Sequence, residues 1–307
     1  MTRYIVRRLV GALPTLFIIV TLAFFMIRLA PGGPFDRERQ VHPDIAANLA
    51  RVYHLDEPLW QQYGRYLGNI ARGDFGPSFK YRDFSVTELI ASGFPVSLKL
   101  GAAAIGLALL LGIGLGTAAA LRQNGKLDVA VMALAMTGIA VPNFVMAALL
   151  TLVFGVYLRW LPVAGWGGGD LAHMLLPVLA LALPQVAYVA RLTRGGLIEV
   201  LNSNYIRTAR AKGLPERLVI GRHAMRGALV PVVSYLGPAT AAVITGSVVI
   251  EQIFAIPGIG RYFVQGALNR DYTLVMGVVI FYGALIILFN LLVDIAYRAL
   301  DPRIDYD

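Results

Sequence analysis

The sequence predicts an all-α polytopic membrane protein with six transmembrane helices and a small extracytoplasmic helical insertion. Three observations predict it. Apolar runs of about 20 residues, long enough to cross a ~30 Å hydrocarbon core as helix, recur along the chain. Of the 307 residues 57% are hydrophobic and 15% charged, whereas soluble domains average about 25% charged. Lys and Arg gather in alternate connections between the apolar runs, as the positive-inside rule requires.

The first apolar run, 9–29, follows the basic start MTRYIVRRL. It is too long for the apolar region of a signal peptide, and Arg28-Leu29-Ala30-Pro31 is a poor cleavage site. Residues 1–30 therefore read as a cytoplasmic N-terminus and a retained first span. Residues 31–93 carry charges of both signs and read as an insertion near the lower size limit for a self-standing core. Within it HPDIAANLARVYHL has helical spacing, and EPLWQQYGRYLGNIARG places Leu59, Tyr63, Tyr66, Leu67 and Ile70 on one face. GDFGPSF then stops the helix with Gly73, Gly76 and Pro77. This cap is either a partner-docking surface or a structural plug.

Residues 94–307 form the remaining five-helix core, with spans at 95–121, 128–158, 174–190, 228–250 and 274–297. The run 128–158 is long enough to tilt or bend, and Pro142 supplies a bend. Six spans put both termini on one side. That side holds Arg3, Arg7 and Arg8, then Arg122 and Lys126, eight basic residues from Arg191 to Arg226, and Arg298 and Arg303. Both termini and the 191–226 loop are thus expected in the cytoplasm. Trp160 and Trp166 would then sit near the outer interface.

A net charge of +9 suggests nucleic acid in a soluble protein. Here topology explains it, and no nucleic-acid partner is expected. With no cysteine, disulfide and thiolate chemistry are excluded. No GxxxxGK[ST] phosphate loop, HExxH or Ser-His-acid pattern occurs, and His42, His54, His173 and His223 lack metal-ligand spacing. No catalytic, cofactor or metal site is expected. A carrier driven by protons or ions normally needs ionisable groups near the bilayer midplane. Asp128, Glu251 and Asp294 instead fall at span ends. Asn143, Gln185 and Asn290 are deeper, and each bonds another helix or contacts substrate. Asn290 and Asp294 share a face one turn apart. Glu251, Pro257, Gly258 and Gly260 form either an outer gate or a re-entrant structural turn.

The polar stretch from Asn204 to Met225 is the most constructed part of the chain. Asn202, Ser203 and Asn204 are good N-caps. Tyr205 to Lys212 makes two helical turns with Ile206, Ala209 and Gly213 along one face, and with Arg207 and Arg210 projecting together. Gly213 permits the left-handed residue that ends a helix, and Pro215 begins the next helix, which carries Leu218, Val219 and Met225. Small residues admit another surface close to the backbone, with Arg and Lys flanking it. The hairpin either docks a partner or lies on anionic lipid.

This segment resembles the cytoplasmic EAA loop of permease subunits in binding-protein-dependent ABC importers. Its pattern EAA-x3-G aligns with Ala209 and Gly213, and departs at Arg207 and Thr208 where the family has Glu and Ala. The form YIRTARAKGL is similar to the peptide and nickel branch. The N-terminal YIVRRLVGALPTLF, RWLPVAGW, IEQIFAIPGIGRYF and NLLVDIAYRALDPRI resemble the B-type permease of that branch, and the stretch 73–103 is closest to oligopeptide permeases.

The resemblance implies the type I ABC importer permease fold and a bacterial inner-membrane location. It also implies a homologous C-type permease partner, two ABC ATPase subunits that bind ATP and Mg, an extracytoplasmic peptide-binding protein, a peptide substrate and surrounding lipid. ATPase coupling falls on Asn204, Tyr205, Arg207, Thr208, Ala209, Arg210, Ala211, Lys212, Gly213, Leu214 and Pro215. Dipeptides, nickel complexes or peptide antibiotics are alternative cargoes. A secondary transporter and a non-transport membrane scaffold are the more distant readings.

Overall fold

The computed structural model describes residues 2–29, 56–81 and 83–300, and it is helical almost throughout. The first half of the expected insertion helix, HPDIAANLARVYHL, lies outside the described residues. The helices are α1 Thr2–Leu29, α2 Leu59–Ile70, α3 Val86–Leu121, α4 Lys126–Ala140, α5 Asn143–Leu150, α6 Leu171–Leu201 and α7 Asn204–Ala211. They are followed by α8 Glu216–Leu218, α9 Met225–Ala228, α10 Val230–Gly246, α11 Val248–Ile253, α12 Ile259–Leu268 and α13 Tyr272–Leu300. Among the described residues five segments are long and apolar enough to cross a membrane: Val10–Arg28, Val86–Leu121, Leu171–Leu201, Val230–Ile253 and Tyr272–Ile295.

The sixth crossing is a broken one. α4 and the stretch Asn143–Tyr157 meet at an angle of 102°, and they give six spans if counted together. The cause is local. Pro142 excludes the α conformation at the residue before it, so Val141 is extended at φ −86°, ψ 121°. The bend expected at Pro142 thus divides the run 128–158 into two helices, the second ending in a π-helical stretch Thr151–Tyr157.

The chain divides into two compact units. One comprises Met1–Val96 with Pro257–Leu285, the other Ser97–Ile256 with Ile286–Asp307. In the first, α2 docks on α1. Tyr63 and Tyr66 pack tilted against Phe24 at ring separations of 5.3 and 5.7 Å, and the Thr21 and Tyr63 hydroxyls lie 2.6 Å apart. The core holds Val86, Leu89 and Ile90 of α3, Ile259 of α12, and Leu274 and Val278 of α13.

The GDFGPSF loop closes on Asp271, which sits just ahead of α13 and is fully buried. Its carboxylate accepts from Ser78 Oγ (2.5 Å), the Lys80 N–H (3.1 Å), Thr273 Oγ1 (3.0 Å) and the Leu274 N–H (3.2 Å). One side chain thus caps a helix and fixes a loop distant in sequence. Asp271→Ala should cost about 3 kcal/mol, because buried donors are left without acceptors. Thermal unfolding of the purified protein in detergent measures it.

In the second unit α6 is the central element. It packs on α4, α5, α9, α10 and α11. Its most apolar stretch is 56% buried, against 11–41% for the other candidate spans. α3 approaches it through Gly112 and Gly116. An added Cβ at Gly112 would lie 2.6 Å from Val189 Cβ, and one at Gly116 2.4 Å from the Ala190 carbonyl oxygen. This is a small-xxx-small contact, in which van der Waals packing of closely approaching backbones replaces the hydrophobic effect. Asp170 caps α6 by accepting the His173 N–H at 2.9 Å, and that bond, with the His173 ring, holds its carboxyl below the usual range.

Candidate functional site

The expected 191–226 loop is shorter than its sequence suggests, because α6 continues as helix to Leu201. The turn that follows is held by backbone bonds from Asn202 N–H to the Glu199 carbonyl and Ser203 N–H to the Val200 carbonyl. The Asn202 side chain donates to the Ile198 carbonyl at 3.0 Å. Ser203 occupies the N-cap of α7, but its side chain makes no cap bond, so the expected side-chain cap is corrected to backbone contacts.

α7 runs Asn204–Ala211 and ends in a Schellman motif, as the Gly-x-Pro pattern requires. Gly213 has φ +76°, and its N–H donates to the Arg210 carbonyl at 2.9 Å, while the Leu214 N–H reaches the Ala209 carbonyl at 3.4 Å. Pro215 is the N-cap of α8 rather than its first helical residue. α8 runs on through a π-helical stretch Val219–Ala224 into α9.

Ile206 and Ala209 are buried with Ala120, Leu197, Val219, Ala224 and Ala228, and Leu214 and Met225 pack around them. This corrects one expectation. Ala209 is not a small residue left open for a partner; it packs the hairpin onto the chain's own core. Gly213 does not share that face either, being exposed beyond the helix end. The small residues of the hairpin that remain exposed are Ala211, Gly213 and Gly221.

The outer face carries Asn204, Tyr205, Arg207, Thr208, Arg210, Lys212, Pro215, Arg217, Leu218, Arg222 and Arg226. Tyr205 and Leu218 are 51% and 46% exposed, which puts apolar surface among the cations. Arg210 grips Glu216 across the turn with two bonds, Nη2 to Oε1 at 2.6 Å and Nε to Oε2 at 3.3 Å. The guanidinium holds the Glu216 carboxyl below its ordinary range, so the clasp stays ionised at neutral pH. The result is an exposed basic surface fixed by its buried side to the end of α6.

Sequence reasoning missed a second link in the same unit. Asp128, in the first turn of α4, is 2% exposed and pairs with Arg194 of α6 at 2.5 and 2.7 Å, while accepting the Asn124 N–H at 2.8 Å. No local pattern joins residues this far apart. Removing one partner leaves a charge unpaired in a partly buried site, whereas removing both does not. Asp128→Ala should therefore lower the unfolding temperature more than Asp128→Ala combined with Arg194→Met, and a four-member thermal-unfolding cycle checks the order.

The remaining candidates do not converge. Gln185 accepts from the Tyr235 hydroxyl at 2.6 Å, tying α6 to α10. Asn143 is half-buried at the start of α5, Asn290 is exposed, and Asp294 is half-buried. Glu251 is fully buried and accepts from Ser97 Oγ at 2.7 Å and Ser247 Oγ at 2.6 Å. Gly258 and Gly260 are buried, and Gly93 of α3 lies so close that an added Cβ would stand 3.0 Å from Ile259 N. Pro257 is half-buried. Among the described residues no acidic, His or Cys cluster has the makings of a metal site.

Comparison with known proteins gives this geometry its context. The family of binding-protein-dependent transport system inner membrane components matches residues 112–306, and the corresponding N-terminal family matches residues 1–101. Over 306 residues, 100% of each chain to the nearest per cent, the sequence is 57% identical to the oligopeptide transport system permease protein OppB of Escherichia coli (strain K12). It is 48% identical to the dipeptide transport system permease protein DppB of Bacillus subtilis (strain 168), covering 99% of this chain and 98% of that protein. Among solved structures, the inward-facing MetNI methionine ABC transporter aligns with a TM-score of 0.56 at 17% identity, covering 69% of this chain and 96% of that one. An amino acid ABC transporter solved with histidines aligns at 0.54 and 18%, covering 69% and 94%. At those identities the structures speak for the fold.

Proposed function

The chain belongs to the family of binding-protein-dependent transport system inner membrane components, and from that premise we propose that it forms half of the translocation pathway of an ATP-driven oligopeptide importer. The observation that carries this reading is 57% identity to an oligopeptide permease across the full length of both chains. The dipeptide relatives are more distant, at 48% and 43%.

The sequence contains no nucleotide-binding loop, so the energy comes from separate ATPase subunits. A homologous C-type permease completes the pathway, and an extracytoplasmic binding protein delivers peptide. The basic residues near both termini and in the hairpin support a cytoplasmic position for all three in a bacterial inner-membrane protein.

The hairpin is the coupling element. Its exposed face offers Tyr205, Leu218 and several cations to an ATPase groove, and its buried face transmits the push. Ile206 and Ala209 lock it to Leu197 near the end of α6 and to Ala120 at the end of α3. A displacement at the surface therefore reaches the central helix of the unit without an intervening flexible loop. ATP drives the cycle because the ATPases hold the hairpin differently in their open and closed states; equal contact in both would shift nothing.

Reconstitution with the C-type permease, both ATPases and the binding protein in liposomes tests the proposal. ATP-dependent uptake of labelled tetra- and pentapeptides is expected. Uptake confined to dipeptides overturns the cargo, and proton-driven uptake by the chain alone overturns the mechanism.

A further inference from the structure

The first unit contains a cavity of about 150 Å³ between α1, α2, the GDFGPSF loop and α13. Its polar lining is cationic and rich in donors. Arg28, in the last turn of α1, faces it together with Tyr66, Arg65 and Asn69 of α2. The Arg28 Nε and the Tyr66 hydroxyl are both shielded from solvent, and among the described residues neither has a hydrogen-bond partner. Arg65 already meets Glu57 at 2.7 Å. The Phe24 ring lies 5.4 Å from the Arg28 guanidinium carbon, and among the described residues lining the cavity none is acidic.

A guanidinium partly withdrawn from water with no acidic partner among the residues lining its cavity is costly, and an unpaired donor beside it adds to the cost. Both costs vanish if the cavity receives an anion that only accepts hydrogen bonds. We infer that this cavity is a binding site for the phosphate of an anionic lipid headgroup, gripped by Arg28 and Tyr66. Location selects the lipid. The cavity lies at the end of an apolar membrane-crossing helix whose Leu22 and Met26 are 56% and 70% exposed, so acyl chains can lie along α1 while the phosphate enters. Guanidinium and phosphate match geometrically as paired donors and acceptors.

The test uses the purified permease complex in phosphatidylcholine nanodiscs with a minor fraction of phosphatidylglycerol, read by native mass spectrometry. The wild-type complex should retain phosphatidylglycerol in excess of its share of the bilayer. Arg28→Gln should weaken retention roughly tenfold, the loss of a charge-assisted hydrogen bond. Tyr66→Phe, which keeps the ring packing on Phe24, should weaken it by a smaller factor and keeps the inference testable if Arg28→Gln fails to fold. Inorganic phosphate is titrated into wild-type complex in pure phosphatidylcholine. Phosphate binding that Arg28→Gln abolishes, with no lipid retention, supports the anion site and assigns it to a free ion. Equal retention by wild type and both variants, or saturation by short peptides in place of phosphate and lipid, overturns the inference.

Discussion

Replacing Gly213 by Ile should reduce peptide-stimulated ATP hydrolysis and uptake about tenfold or more, within the range of measured coupling energies, while the protein still inserts and assembles. The reason is conformational and not steric. Gly213 has φ +76°, and no heavy atom lies within 4 Å of where its Cβ would stand. There is room for a side chain but no comfortable backbone for it. An L-residue in the left-handed region costs about 1–2 kcal/mol, and a β-branched one suffers most. The turn would relax by giving up the Gly213 and Leu214 bonds that close α7, and the Arg210–Glu216 clasp with them. The series then orders itself: Gly213→Asn near normal, because Asn tolerates this conformation, Gly213→Ala intermediate, and Gly213→Ile worst. Wild-type uptake in Gly213→Ile would sink the idea. An Asn variant as defective as Ile would move the cause from the turn to the docking surface.

Gly116→Leu is the more destructive change, and its effect is on the fold. Even a methyl there would lie 2.4 Å from the Ala190 carbonyl oxygen and 2.8 Å from Thr193 Cβ. Backbone cannot yield as a flexible side chain can, so α3 and α6 must separate along this contact. Overpacking costs about 1–3 kcal/mol and occasionally more. Here the high end is expected, because the obstacle is main chain and α6 is the element on which the unit is assembled. Gly114, two residues away, supplies the control: nothing lies within 4 Å of its would-be Cβ. Gly114→Ala should be neutral or stabilising by up to about 1 kcal/mol through helix propensity. Unfolding temperatures in detergent for the two variants should therefore move in opposite directions. Equal behaviour would show that the close approach is not what holds these helices together.

Several features were legible in the chain because they depend only on local rules. The apolar runs had the length a bilayer demands. Val141 before Pro142 could not be helical, which marked a bend although not its 102° size. Gly213 followed by Pro215 announced the end of α7 two residues ahead. GIGLG at 112–116 carried a signal for close helix contact in an apolar run, and Asp271 ahead of α13 carried a capping signal; both were there to be read.

Facing and pairing were not legible. Ala209 looks equally suited to receiving a partner or to filling a core, and only the position of Leu197 and Val219 shows that it fills the core. Glu251 reads as an interfacial carboxylate until Ser97 and Ser247 are seen to bond it. Asp128 and Arg194 carry no mutual signal along the chain. The sequence by itself determined the apolar runs, the bend at Pro142, the stop of α7 and which connection is basic, because backbone conformation and burial in lipid are settled by neighbouring residues. Only the tertiary structure decided which side of the hairpin is anchored and which is offered, because that depends on contacts between residues far apart in the chain.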